Sequence, residues 1–162
     1  MKQVNWLPKI AINYCTGYQN PAVQKELAGD GDYFMGGMGY SPALAKEFMP
    51  EAIKIEKKYY TPRSNQPFDS DSIQEGVMLF VLAQAIEKAG SLDTEKVVQL
   101  LRTEEFPSVM SLSGKVKFEP GGQNVYALSV ITQIKDQDYK TVFPLKYKKS
   151  EPVFPMTPWD KR

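Results

Sequence analysis

An α/β fold is predicted by three features of this sequence. A strand, a helix and a second strand follow one another over residues 9–40, which is a βαβ unit and implies a parallel sheet with helices on its faces. Apolar residues then recur at helical spacing through residue 101. From Gly114 the period switches to two, ending in a C-terminal β-hairpin. The expected architecture is a parallel βαβ unit, further helices and a small antiparallel appendage.

Lys9–Tyr14 (KIAINY) is a short β-prone run introduced by Pro8 and closed by the turn-prone CTGYQNP. Asn20-Pro21 opens a helix, PAVQKELAG, with proline in its first turn and Gly29 as its stop. GDGD is loop, and DYFMGGMGY reads as a buried strand with a glycine-rich end. Ser41-Pro42 starts the next helix, along which Leu44, Phe48, Ala52, Ile55 and Tyr59 recur; Thr61-Pro62 and RSNQPFD mark its end.

Ser72, with Glu75 three residues on, has the spacing of a capping box. The helix that follows, through Ala89, is apolar on most sides (Val77–Leu82, Ala85, Ile86), the pattern of a buried helix. Gly90 ends it, Asp93 caps another, and Val97, Val98, Leu100 and Leu101 form the core stripe of that one. Beyond Gly114, KVKFE alternates, PGGQN turns, and ALSVITQIKDQDYKTVFPLKY forms two strands around Lys135–Tyr139.

At 162 residues the chain suffices for one domain with its own core and is too short for two full-sized ones. Its 20 basic and 19 acidic side chains leave a net charge of +1, so nothing points to nucleic acid or an anionic membrane. No histidine is present, which removes the commonest general base, the commonest metal ligand and every imidazole triad. The single cysteine, Cys15, excludes an internal disulfide and a thiolate zinc cluster, and reads as a small inert side chain at a strand end. No G-x-S-x-G elbow occurs, GGMGY lacks the lysine of a phosphate loop, and DGD is too short for a calcium loop. Neither an enzyme nor a metal or other cofactor is expected. MKQVNWLPKIAINY lacks the apolar core and cleavage site of a signal peptide.

Five segments in order carry a resemblance: PKIAINYCTGYQNPAVQKELAGDGDYFMGGMGYSP, AIEKAG followed by a Ser-Leu-Asp cap, LSGKVKFEPGGQN, VITQIKDQDYKTVFP and VFPMTPW. Together they resemble the later part of the periplasmic type I solute-binding proteins of branched-chain amino-acid and amide ABC transporters. The fold class this implies is α/β, periplasmic-binding-protein type I, partial. Residues 1–40 would belong to the second lobe, 41–110 to the helical part of the first lobe, and 111–162 to the closing strands and tail.

The resemblance implies a non-enzymatic solute-binding component of an ABC importer, present as a C-terminal fragment. The full-length protein would be periplasmic or extracellular, with an ABC permease and a small polar solute, an amino acid or amide, as partners. The alternative is a cytoplasmic or receptor-type amide or amino-acid sensor of the same fold. Ligands of α/β sheets bind outside the carboxyl ends of parallel strands, which selects the loops Asn13–Tyr18 and Gly36–Tyr40. The candidate ligand-binding residues are Tyr14, Thr16, Tyr18 and Tyr40, aromatic rings with polar tips and one hydroxyl. INYCTGY lacks the acidic side chain that would receive an ammonium group, so the anionic partner lies elsewhere or the solute is neutral, such as an amide or urea-like compound. A lobe missing from such a fold would bare a sheet edge and the apolar face of Val77–Ile86, so the expectation is a homodimer, intertwined or segment-swapped, or else an unstable monomer.

Overall fold

The computed structural model describes every residue except Cys15, Thr16 and Gln19, and of Pro21 the backbone alone. In chain order the strands are β1 (Ile12–Tyr14), β2 (Met35–Met38), β3 (Glu105–Pro107), β4 (Lys115–Lys117), β5 (Val130–Lys135) and β6 (Asp138–Phe143). The α-helices are α1 (Pro21–Leu27), α2 (Pro42–Phe48), α3 (Pro50–Ile55), α4 (Thr61–Ser64), α5 (Ser70–Ala89) and α6 (Thr94–Thr103), with a π-helical stretch Glu56–Tyr60 between α3 and α4. The chain divides into two units, Met1–Ala43 with Ser129–Arg162, and Leu44–Leu128. The predicted segment 111–162 is thus split, its strands β5 and β6 going with the N-terminal residues.

The first unit holds a four-stranded sheet of order β1-β2-β5-β6. β1 and β2 are parallel, as the βαβ pattern requires. β5 runs antiparallel to β2 and β6 antiparallel to β5, so the closing hairpin extends the βαβ sheet instead of standing apart as an appendage. All four residues of β2 are buried, and each pairs with β5. The strands at 9–14 and 32–40 are shorter than predicted; Tyr33, at φ 71°, interrupts the extended run before β2.

Asn20 caps α1, its side chain accepting from the Ala22 N–H at 2.8 Å, with Pro21 at the first helical position. The helix ends one residue before the expected Gly29, at Ala28, which takes a φ of 45°. The β5–β6 turn places Asp136 and Gln137 at φ 52° and 57°, the left-handed pair that matches the twist of a two-residue hairpin. Phe34, Ile134, Tyr139 and Met156 form the core, with Tyr18 and Trp159 against it. Arg162 lies over the Trp159 ring at 3.9 Å and donates from Nη1 to the Asp30 carbonyl at 2.8 Å.

In the second unit the helix expected over 41–59 is broken at Pro50. A proline there has no N–H to donate and disfavours helical backbone at Met49, which takes φ −135° and ψ 53°. Thr61-Pro62 does not end the segment: Pro62 occupies the first turn of α4, and Asn65 ends it in the left-handed region at φ 55°. The start of α5 is also corrected, from Ser72 to Ser70. Asp69 is the cap, its carboxylate accepting from the Ser72 N–H at 2.8 Å while the Ser72 hydroxyl accepts from the Asp69 N–H at 2.9 Å. Gly90 and Asp93 act as predicted, the former at φ 57° and the latter accepting from the Lys96 N–H at 3.0 Å.

α5 packs on α6 through Val77, Val81 and Ala85 against Val97, Leu100 and Leu101, with Phe106 and Val116 closing the cluster from β3 and β4. β3 has no counterpart in the sequence reading. Burial is confined to one face of α5. Met78, Leu79, Phe80 and Leu82 are 63, 68, 46 and 43% exposed, against the reading of a helix buried on most sides. The reason is supply: within this unit α6 and a two-stranded sheet cover one stripe at spacing four, and the opposite stripe meets none of that cluster. Among the described residues no helix, α5 included, is long and apolar enough to cross a membrane.

Candidate ligand-binding site

Because β1 and β2 are parallel, both end at the same edge of the sheet of the first unit. The pairing Tyr14↔Gly37, Gly37↔Ile131 and Ile131↔Phe143 sets these four residues in one row across the four strands. Tyr14 and Ile131 flank Gly37 on one face of the sheet, and Phe143 pairs with Ile131 beside a β-bulge that breaks the regular alternation of β6. At about 4.8 Å per strand the row spans roughly 14 Å. Both of its ends are open: Tyr14 is 74% exposed and Phe143 57%.

The four candidates from the sequence separate. Tyr14 is on the surface at the carboxyl end of β1, in the place expected of a ligand contact. Thr16, like Cys15, lies outside the described residues. The Tyr18 ring packs on Phe34 with centroids 4.5 Å apart, and the Tyr18 carbonyl accepts from the Tyr139 hydroxyl at 3.3 Å. Tyr139 in turn is nearly buried, and burial, with Asp138 adding to it, raises its phenol to a pKa of about 12. Tyr40 is 1% exposed, a core side chain with no face toward solvent. Of the predicted loop Gly36–Tyr40, the first three residues belong to β2.

Phe143 escaped the sequence reading. Its strand shows an apolar alternation, yet nothing within one strand says which residue of another strand it will face. The cue that was available is the FP pair at the end of a hairpin, where a strand stops and its last side chain is left uncovered.

Two solved structures share this architecture. A leucine-binding protein, LivK, from Thermotoga maritima aligns with a TM-score of 0.67 and 19% identity, over 86% of this chain and 38% of its own. A putative branched-chain amino acid ABC transporter from Silicibacter pomeroyi aligns with a TM-score of 0.62 and 19% identity, over 89% of this chain and 40% of its own. The fold is that of the type I periplasmic binding proteins, in part. No protein-family profile matches the sequence. The chain therefore spans about two fifths of these type I neighbours, 38% and 40% of their lengths.

Proposed function

We propose that this chain is the solute-binding component of an ABC importer for branched-chain or other amino acids, or the later part of one. One observation carries the reading. An exposed aromatic side chain, Tyr14, stands at the carboxyl end of the parallel pair, within a fold shared by two proteins of amino-acid transport. Tyr14 supplies a flat apolar contact with a hydroxyl tip, and Thr16, two residues further along the sequence, a hydroxyl. The protein performs no chemical step. Solute held by one lobe biases a hinge toward closure, and the closed form is what an ABC permease recognises at the periplasmic or outer face of the membrane.

A second copy covers the exposed stripe of α5 when no other lobe is present. The absence of an acid in the loop after β1 extends the range of solutes to neutral amides. Isothermal titration of the chain with L-leucine, L-valine, acetamide and urea tests the proposal. Saturable uptake of any one of them, weakened about tenfold by Tyr14→Ala, is the expected result for loss of one aromatic contact. Heat signals indifferent to all four, or to the substitution, would reject the site.

A further inference from the structure

We propose that Gly37 is the positioning residue of this site: it holds the Tyr14 ring in place by having no side chain. The inference rests on the solute reading above for its functional consequence and on geometry alone for the seat itself. A Cβ on residue 37 would stand 2.6 Å from Tyr14 Cδ2 and 3.0 Å from Cε2, so the ring lies directly across the glycine. The third neighbour, Ile131 Cδ1, would be 3.7 Å away, an ordinary contact. The obstruction therefore comes from Tyr14 alone. It matters that Tyr14 is an exposed side chain on an edge strand, with no core around it to fix its rotamer. A ring in that setting is held by the floor beneath it, and here the floor is the bare backbone of a fully buried strand. Contact across a glycine lets an aromatic face meet the main chain of the neighbouring strand, a close approach that any other residue would forbid.

Gly37 lies in extended backbone that alanine also adopts. Gly37→Ala is thus expected to spare the fold, because an exposed ring can swing aside, and to spoil the site, because the ring then leaves its seat. In the parent chain, NMR cross-relaxation should connect the Tyr14 ring protons to the α protons of residue 37; in Gly37→Ala it should vanish, with the melting temperature unchanged. Binding of L-leucine should weaken by roughly the same tenfold as in Tyr14→Ala. In the Tyr14→Ala/Gly37→Ala double variant the second substitution should add nothing, since the two residues act as one.

Three results overturn the inference: a ring contact that persists in Gly37→Ala, a Gly37→Ala effect on binding that survives in the Tyr14→Ala background, or failure of both Gly37→Ala and the double variant to fold. The last would mean that the strand, not the ring, needs the glycine. If L-leucine binds the parent but ignores Tyr14→Ala, the solute site is refuted, while the cross-relaxation result still decides the seat by itself.

Discussion

The side chain of Gln133 and the main chain of Val153 form a reciprocal pair: Val153 N–H donates to Gln133 Oε1 at 2.8 Å, and Gln133 Nε2 donates to the Val153 carbonyl at 3.0 Å. A buried side-chain amide on β5 thereby imitates a strand neighbour and anchors the C-terminal tail to the sheet. Nε2 also donates to the Tyr33 carbonyl at 3.1 Å, so every hydrogen-bonding atom of the fully buried group is engaged. Gln133→Leu strips three bonds from partly buried main chain and should cost about 3 kcal/mol in urea unfolding. Hydrogen exchange at Val153 should rise in parallel. A loss under about 0.5 kcal/mol would mean that the tail is held by other contacts.

The reciprocal bonds of Asp69 and Ser72 make the start of α5 separable from its packing. Asp69→Ala should destabilise by about 1 kcal/mol, and Ser72→Ala should add little on top of it, because each residue completes the other's bond. Additive losses in chemical denaturation would count against a shared cap.

Ala28 and Gly29 present a swapped preference. Ala28 sits at φ 45°, where an L side chain is strained, while Gly29 next to it has ordinary backbone with open space at its Cβ position. Ala28→Gly should raise stability by about 1 kcal/mol, whereas Gly29→Ala should be neutral or slightly stabilising. Thermal melts in which Ala28→Gly lowers the midpoint would contradict this backbone geometry.

The raised phenol of Tyr139 gives a pH signature. Its pKa of about 12 lies above the ordinary tyrosine value, so the unfolded chain loses its proton first. Between about pH 10 and 12 the native state binds the extra proton, and stability falls as pH rises through that window. Tyr139→Phe removes this slope and, below pH 10, forfeits the bond to the Tyr18 carbonyl. Parallel alkaline curves for parent and variant would show that Tyr139 ionises freely.

The exposed stripe of α5 should make the chain self-associate. Leu79 and Leu82 are central to it, and a symmetric pairing would bury each against its counterpart. Sedimentation equilibrium should report a dimer for the parent and a monomer for Leu79→Lys/Leu82→Lys, with helicity retained. A parent that stays monomeric at micromolar concentration sinks the pairing.

Much of this fold was legible without coordinates. The βαβ order, the Asn20-Pro21 start of α1, the Gly90 stop, the Asp93 cap and the turn of the closing hairpin were all readable. Each depends on a few neighbouring residues whose own dihedral preferences and side-chain acceptors settle the matter. The break at Pro50 is equally local, and there the proline outweighs the apolar period that runs through it. The place of Tyr14 at the carboxyl end of β1 follows from the βαβ order.

Other features were decided by tertiary structure. That Tyr40 is buried, that Tyr18 packs on Phe34, and that one stripe of α5 stays exposed depend on which surfaces come together. So do the place of β5 beside β2, the pairing of Phe143 with Ile131, and the close approach of the Tyr14 ring to Gly37. The physical reason is that capping and turn formation are short-range in sequence, whereas strand register and burial are set by partners far along the chain. The Tyr14↔Gly37↔Ile131↔Phe143 row joins residues more than a hundred positions apart, and no local pattern in any one strand encodes it.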